Sequence, residues 1–333
     1  MQSPQSFAST LAGVLAITRS MLVVAAVAAL TPAHAQMGER PVKFILPVAT
    51  ASGVDTISRA AQPALSKALA APVVVENQPG AGGIVGTSAL VKSAPDGYTL
   101  SIVSNNHVIY PSVYKSVPFD PVADITPIAV IGSTPIVIVV NAKVPAKNAQ
   151  ELIALLKANP GKYNYGSSGN GTILHLAAAM FFDEAGVTAT HVPYKGVGPM
   201  LTDLIGGQVE IGALSLPSVQ QHLKSGTLRA IGVGSAKRLP AAPDIPTMVE
   251  QGLPNYLVEG WFAVIGPAKM APADVKRVHD AFATAFATPE VKEAMDKQGN
   301  TINISTTEYA NQFFPSELGK YAKLVKKTGI ELQ

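Results

Sequence analysis

The stretch from Val73 to Leu100, VVVENQPGAGGIVGTSALVKSAPDGYTL, constrains the fold more than any other part of the chain. Val73, Val74 and Val75 form a β-branched run that suits a buried strand. Asn77 to Gly83 is turn chemistry, dense in Gly with a single Pro. Ile84 to Lys92 has the length of a short helix, and Asp96-Gly97 turns the chain into Tyr98-Thr99-Leu100. Strand, Gly-rich loop, helix, turn and strand make one βαβ unit, so the chain carries an α/β domain. A nucleotide site here would need G-x-G-x-x-G or G-x-x-x-x-G-K-[ST]. Gly80 and Gly82 are followed by Val85, and the third glycine comes late, at Gly86. The loop therefore reads as glycines packing a turn against its helix, and no cofactor is expected.

The first residues have the character of an export signal. Residues 1–38 carry one charge, Arg19, and Met21 to Leu30 is an apolar core of ten residues. Ala33-His34-Ala35 then supplies a small-residue cleavage pattern. Ten apolar residues fall short of the roughly 20 that span a bilayer. Residues 1–35 are thus expected to be a signal peptide, with Gln36 the first mature residue and the protein periplasmic. The absence of cysteine rules out a lipid anchor at a lipobox, disulfides, thiol nucleophiles and Cys-based metal sites together. Such a chain must hold itself by core burial, which 47% hydrophobic and 14% charged residues permit. A formal net charge of +3 is too small to imply nucleic-acid binding.

Beyond the leader, strand and helix patterns alternate. Val42 to Leu46 is a strand that ends in a loop of small residues, Pro47 to Gly53, before helical spacing from Thr56 to Leu69. Backbone N–H groups at Ala51, Ser52 and Gly53 would gather at that helix start, which is anion-binding by construction. Ser52 or Asp55 can equally cap the helix, and the two readings are compatible. Thr99 to Val103 is a strand leading into Ser104-Asn105-Asn106-His107. Asn148 to Ala158 reads as a helix and Tyr163 to Tyr165 as a short strand. A second small-residue loop, Gly166 to Thr172, precedes the helix Ile173 to Glu184. Val192 to Gly196 is another loop before a helix, Val197 to Ile205. Val209 to Leu214 and Leu228 to Val233 are strands, and Pro272–Ala287, Pro289–Gln298 and Thr307–Lys327 are helical.

Two apolar runs are longer than a single strand needs, Ile128 to Val140 and Val258 to Ile265. They are expected to be crossings between two lobes, one built from 36–140 and 260–333 and the other from 141–259. Loops that follow strands in both lobes would face each other across a cleft able to close on a ligand.

The wording also resembles a known family. Pro79–Gly83 (PGAGG), Pro95–Leu100 (PDGYTL), Phe119-Asp120-Pro121 with Ile125-Thr126-Pro127, Tyr165–Thr172 (YGSSGNGT) with His175-Leu176, and His191–Gly196 (HVPYKG) come in the family order. So do Gly206–Val209, Ser225–Ala230, Pro243–Thr247 and Gly260-Trp261-Phe262. These phrases are similar to those of the Bug proteins, the substrate-binding proteins of tripartite tricarboxylate transporters, and they span essentially all of 41–333. The resemblance implies a type II periplasmic binding fold that grips a ligand carboxylate with main-chain amides from two loops. Carried onto this chain, those loops supply Ala51, Ser52, Gly53 and Asp55, and Ser167, Ser168, Gly169 and Thr172. Supporting positions would be Ser104, Asn106 and His107 on one side, and His175, Tyr194 and Gly196 on the other. The implied partners are membrane permease subunits, with a two-component sensor kinase as the alternative, and the chain is expected to act as a monomer. This sequence departs from the family where Ala51-Ser52 replaces a Gly-Gly pair and where Tyr110 precedes Pro111.

Enzyme readings find less support. Ser167, Ser168, His175 and His191 could furnish a secreted serine hydrolase, but Gly166-Ser167-Ser168-Gly169 does not spell G-x-S-x-G. No H-E-x-x-H or tight cluster of histidine and acid is present, so no metal site is expected. His175, early in a helix, is the histidine placed most like a site residue, although capping or packing explains it equally well.

Overall fold

The computed structural model describes residues 40–330 and residue 332. The expected signal peptide, 1–35, lies outside the described residues.

Among the described residues ten strands form one sheet: β1 (Val42–Leu46), β2 (Val73–Asn77), β3 (Thr99–Ser104), β4 (Ile125–Asn141), β5 (Asn164–Ser167), β6 (Thr190–Pro193), β7 (Ile211–Ser215), β8 (Leu228–Val233), β9 (Glu259–Pro267) and β10 (Thr301–Ile302). Their order is β2-β1-β3-β9-β4-β7-β5-β6, with β8 and β10 also paired to β4. The βαβ unit read from Val73–Leu100 is present, but β1 lies between its two strands and pairs in parallel with both. That order puts β2 at the sheet edge. Val73 is buried while Val74 is 45% exposed, so the expectation of a buried strand fails for want of a second neighbour.

The 17-residue β4 passes through both halves of the sheet. Its first part, Ile125 to Pro135, pairs antiparallel with β9, and its second part, Ile136 to Asn141, pairs with β7 and β8. The apolar run beginning at Ile128 therefore does cross, as one continuous strand. The run at Val258 to Ile265 differs: β9 lies wholly between β3 and the first part of β4. The chain comes over just before it, where Val258 N–H donates to Gly234 O and Gly234 N–H to Ile136 O. Alternation along β9 feeds two cores. Phe262 and Val264 pack with Phe44, Ile57 and Phe282, while Trp261 and Ala263 pack with Ile136, Phe181 and Phe314.

Among the described residues ten α-helices accompany the sheet: α1 (Gly53–Leu69), α2 (Ile84–Val91), α3 (Asn106–Ile109), α4 (Ala149–Ala158), α5 (Ile173–Ala185), α6 (Val197–Gly206), α7 (Leu216–Lys224), α8 (Pro272–Ala287), α9 (Pro289–Gln298) and α10 (Thr307–Thr328). Side-chain caps start several of them. Ser52, Asn148, Thr172 and Thr306 each accept a backbone N–H from the third helical residue. Glycines in left-handed conformation end α5, α6, α9 and α10. The sequence reading had no helix at α7, whose apolar positions reduce to Leu216, Val219 and Leu223 over nine residues, and none at the four-residue α3. No described helix is long and apolar enough to cross a membrane.

Candidate functional site

Five helices of eight residues or more start at one place. The residues immediately preceding them, Ser52 (α1), Gly83 (α2), Thr172 (α5), Gly196 (α6) and Ser215 (α7), all line a single cavity of about 620 Å³. This follows from the topology: in an α/β sheet the loops leaving the strands lead into helices on the same side. Each helix start presents N–H groups without intrahelical acceptors and the positive end of a dipole. Among the described residues Lys195 is the one charged side chain in the lining, and it is exposed.

The first loop is tightly braced. Asp55 N–H donates to Ser52 Oγ at 3.2 Å, the expected cap. The buried Asp55 carboxylate in turn accepts from Ala51 N–H (3.1 Å), Arg59 Nε (2.8 Å) and Asn77 Nδ2 (3.0 Å). So the Ala51 N–H is spent on Asp55, and it is Gly53 and Val54, first in the helix, that present N–H groups with no intrahelical acceptor. Neither Ala51 nor Asp55 lines the cavity, whereas Ser52 and Gly53 do.

The second loop is braced from behind. Ser167 is fully buried; its Oγ donates to Gly169 O (3.1 Å), accepts from Gly169 N–H (3.2 Å), and lies 2.7 Å from His191 Nε2. The His191 ring stacks on His175 at 3.9 Å between centroids, and His175 Nδ1 accepts Gly171 N–H at 3.2 Å. Burial pushes His175 down to about 3, helped by the neighbouring His191, and burial takes His191 down to about 4. Both shifts favour the uncharged rings. Thr172 caps α5 through His175 N–H, and its hydroxyl also donates to Gly169 O. Ser168, Gly169 and Thr172 reach the cavity, but Ser167 and His175 stand behind it. Buried behind the lining, the Ser167 hydroxyl holds the shape of the loop.

Of the remaining expected residues, Ser104, Asn106, Tyr194 and Gly196 line the cavity. His107 does not. It is fully buried with Nε2 2.7 Å from Pro121 O, and burial pushes it down to about 4. Several lining residues were not anticipated. Pro79 to Gly83 form one wall, although their glycines read as turn chemistry alone. Tyr114, Thr134, Ser215 and Gly260 complete the floor and sides. Pro217 in the first turn of α7 was the available signal for Ser215, since proline is favoured there.

The two sides of the cavity touch directly. Asn106 Oδ1 accepts Ile173 N–H (2.8 Å), Tyr114 OH donates to Asn170 O (3.3 Å), and Ser218 Oγ donates to Ala51 O (2.8 Å). Gly171 and Gly196 permit the closest approaches. A Cβ at Gly171 would stand 2.4 Å from Val113 Cγ1, and one at Gly196 2.4 Å from Ala49 Cβ.

This arrangement has relatives. The model of the tripartite tricarboxylate transporter family receptor matches residues 57–330. The Bordetella pertussis protein BugT is 34% identical over 88% of this chain and 91% of its own length. The solved periplasmic binding protein BugD superposes with a TM-score of 0.85 at 31% identity, over 89% of this chain and 99% of that one. An R. palustris protein solved with adipate gives the same TM-score at 28% identity, over 88% of this chain and 99% of that one. The chain belongs to the tripartite tricarboxylate transporter receptor family, with the α/β fold of its periplasmic binding proteins.

Proposed function

We propose that this family member is an extracytoplasmic receptor that captures a small carboxylate in the cavity and delivers it to the permease subunits of a tripartite-type transporter. The observation that carries the reading is the convergence of five helix starts on a cavity whose lining, among the described residues, holds one cation and no acid. Such a site stabilises an anion through dipoles and N–H donors, and repels nothing negative. The adipate held by the 28%-identical relative is a carboxylate of the same broad kind. Binding, without chemistry, is the role: the loop hydroxyls and histidines are committed to loop backbone and to one another. The leader of 1–35 exports the chain, and the parts 36–140 with 260–333 and 141–259 act as lobes. Contacts such as Asn106 to Ile173 form as the lobes close, so the ligand favours the closed state by the contacts it adds there.

A thermal-shift screen of the purified protein, unfolded and refolded to strip carried-over ligand, tests this. Acids at about 100 times their dissociation constant should add roughly 2.7 kcal/mol, a shift of a few degrees. The corresponding amides and methyl esters should give none. Equal shifts from acid and amide, or no shift from any acid, would remove the carboxylate from the proposal.

A further inference from the structure

The floor of the cavity carries hydrogen-bonding capacity that the loops do not use. Strands β3, β9 and β4 run side by side there, with Ser104 opposite Phe262 and Thr134 opposite Gly260. Residues two apart on a strand, and their cross-strand neighbours, share a face. Ser104, Phe262, Gly260 and Thr134 all line the cavity. Gly260 leaves a notch in this face. A Cβ there would fall 2.8 Å from Thr134 Cγ2, so the notch exists only because residue 260 has no side chain.

Thr134 is 4% exposed, and its hydroxyl has no hydrogen-bond partner among the described residues. The Ser104 hydroxyl, also buried, makes no hydrogen bond among them either. Their neighbours differ. Asn105 is spent on Glu259 O, Tyr321 OH and Trp261 N–H, and Asn106 on Gly82 O and Ile173 N–H. A buried hydroxyl left unpaired is destabilising, because it has lost water and gained nothing. Rotation about the Thr134 Cα–Cβ bond exchanges the methyl at the notch for the hydroxyl, which then meets whatever occupies it.

We propose that Thr134, with Ser104 across the Gly260 notch, is a specificity determinant that donates to an oxygen on the ligand body, away from the carboxylate gripped by the helix starts. The ligand class is then a carboxylate with a second acceptor oxygen: a dicarboxylate, a hydroxy acid or an oxo acid. With Lys195 the one cation at the cavity among the described residues, the notch reads that oxygen by hydrogen bonding and not by charge. The inference rests on the carboxylate reading above.

Titration calorimetry of the stripped protein with succinate through adipate, the matching monocarboxylates, and the matching ω-hydroxy acids tests it. Wild type should bind the best diacid or hydroxy acid tighter than the monoacid of equal length. Thr134→Val should lose about tenfold on that ligand, roughly 1.4 kcal/mol, and nothing on the monoacid, while Thr134→Ser keeps the affinity. Because the hydroxyl is unpaired in the free protein, Thr134→Val should also melt no lower than wild type without ligand. Ser104→Ala gives a second reading of the same loss should the valine variant fold poorly. Monoacid preference in wild type, or no selective loss in either variant, overturns the notch and leaves the receptor standing. Failure of every acid to bind wild type overturns both.

Discussion

The side-chain oxygen of Asn106 accepts the backbone N–H of Ile173 at 2.8 Å, while its amide donates to Gly82 O at 3.2 Å. One buried carboxamide thus ties the Gly-rich wall to the start of α5, across the line where the proposed lobes meet. It also occupies the Ile173 N–H, a helix-start donor with no intrahelical acceptor. Asn106→Ala should therefore weaken ligand binding about tenfold, mainly through faster release, and cost the folded protein about 1–2 kcal/mol for the unpaired groups left behind. Stopped-flow dissociation and urea titration would separate the two effects. Unchanged release would mean the contact does not form with closure.

Gly171 meets Val113 across the same line, at a φ of +66°. Gly171→Ala adds a Cβ 2.4 Å from Val113 Cγ1 and forces alanine into the left-handed region. The closed approach should be lost while each half keeps its core, so ligand affinity should fall at least tenfold with a modest drop in melting temperature. Small-angle scattering with saturating ligand is the direct check: wild type should contract and the variant should not.

The histidines make stability depend on pH. In the unfolded chain each takes a proton near 6.5, whereas burial holds His175 down to about 3 and both His107 and His191 to about 4. Between those values the unfolded state binds more protons, so stability is full above about pH 6.5 and falls as pH drops toward 4. A fully buried histidine contributes a slope of ~1.4 kcal/mol per pH unit, and the partly exposed His191 less, because solvent screens it. Urea unfolding at about pH 7 and about pH 5 should show the loss. His175→Gln should flatten part of it.

Asp55 is where a ligand role inferred from the family motif gives way to a structural one. Its carboxylate accepts from Ala51, Arg59 and Asn77, away from the cavity. Asp55→Ala should cost about 2–3 kcal/mol of stability, since three donors lose a charged acceptor. Affinity should fall only as far as the loop loosens. Asp55→Asn, which keeps acceptor capacity at one oxygen, should recover part of both, measured by urea midpoint and calorimetry.

Local chemistry made much of this legible in the sequence. Ser52, Asn148 and Thr172 stand before apolar helical runs, and each proves to be a cap. The two small-residue loops stand out for the same reason. What sequence order cannot convey is which face a loop residue turns to the cavity. Ser167 and Ser168 are adjacent, yet one is sealed against His191 and the other lines the pocket. Thr134 and Gly260 are 126 positions apart in the numbering and meet only through the pairing of β4 with β9. The edge position of β2 is likewise a matter of strand order, invisible in three valines.

Ala51 gives the departure from the family's Gly-Gly pair a physical meaning. It sits at φ +65°, in the left-handed region, with its N–H held by the Asp55 carboxylate. An alanine there costs about 1–2 kcal/mol in local conformation that glycine would not. Glycine's extra freedom in the unfolded chain returns about 0.4–1 kcal/mol of that. Ala51→Gly should therefore stabilise the protein by roughly 0.5–1 kcal/mol, against the usual direction for an alanine-to-glycine change. The Ala51 side chain is outside the cavity lining, so ligand selectivity should stay as it is. A urea midpoint that falls instead would show that the Asp55 brace relaxes the strain already, and that the alanine is held at no net cost.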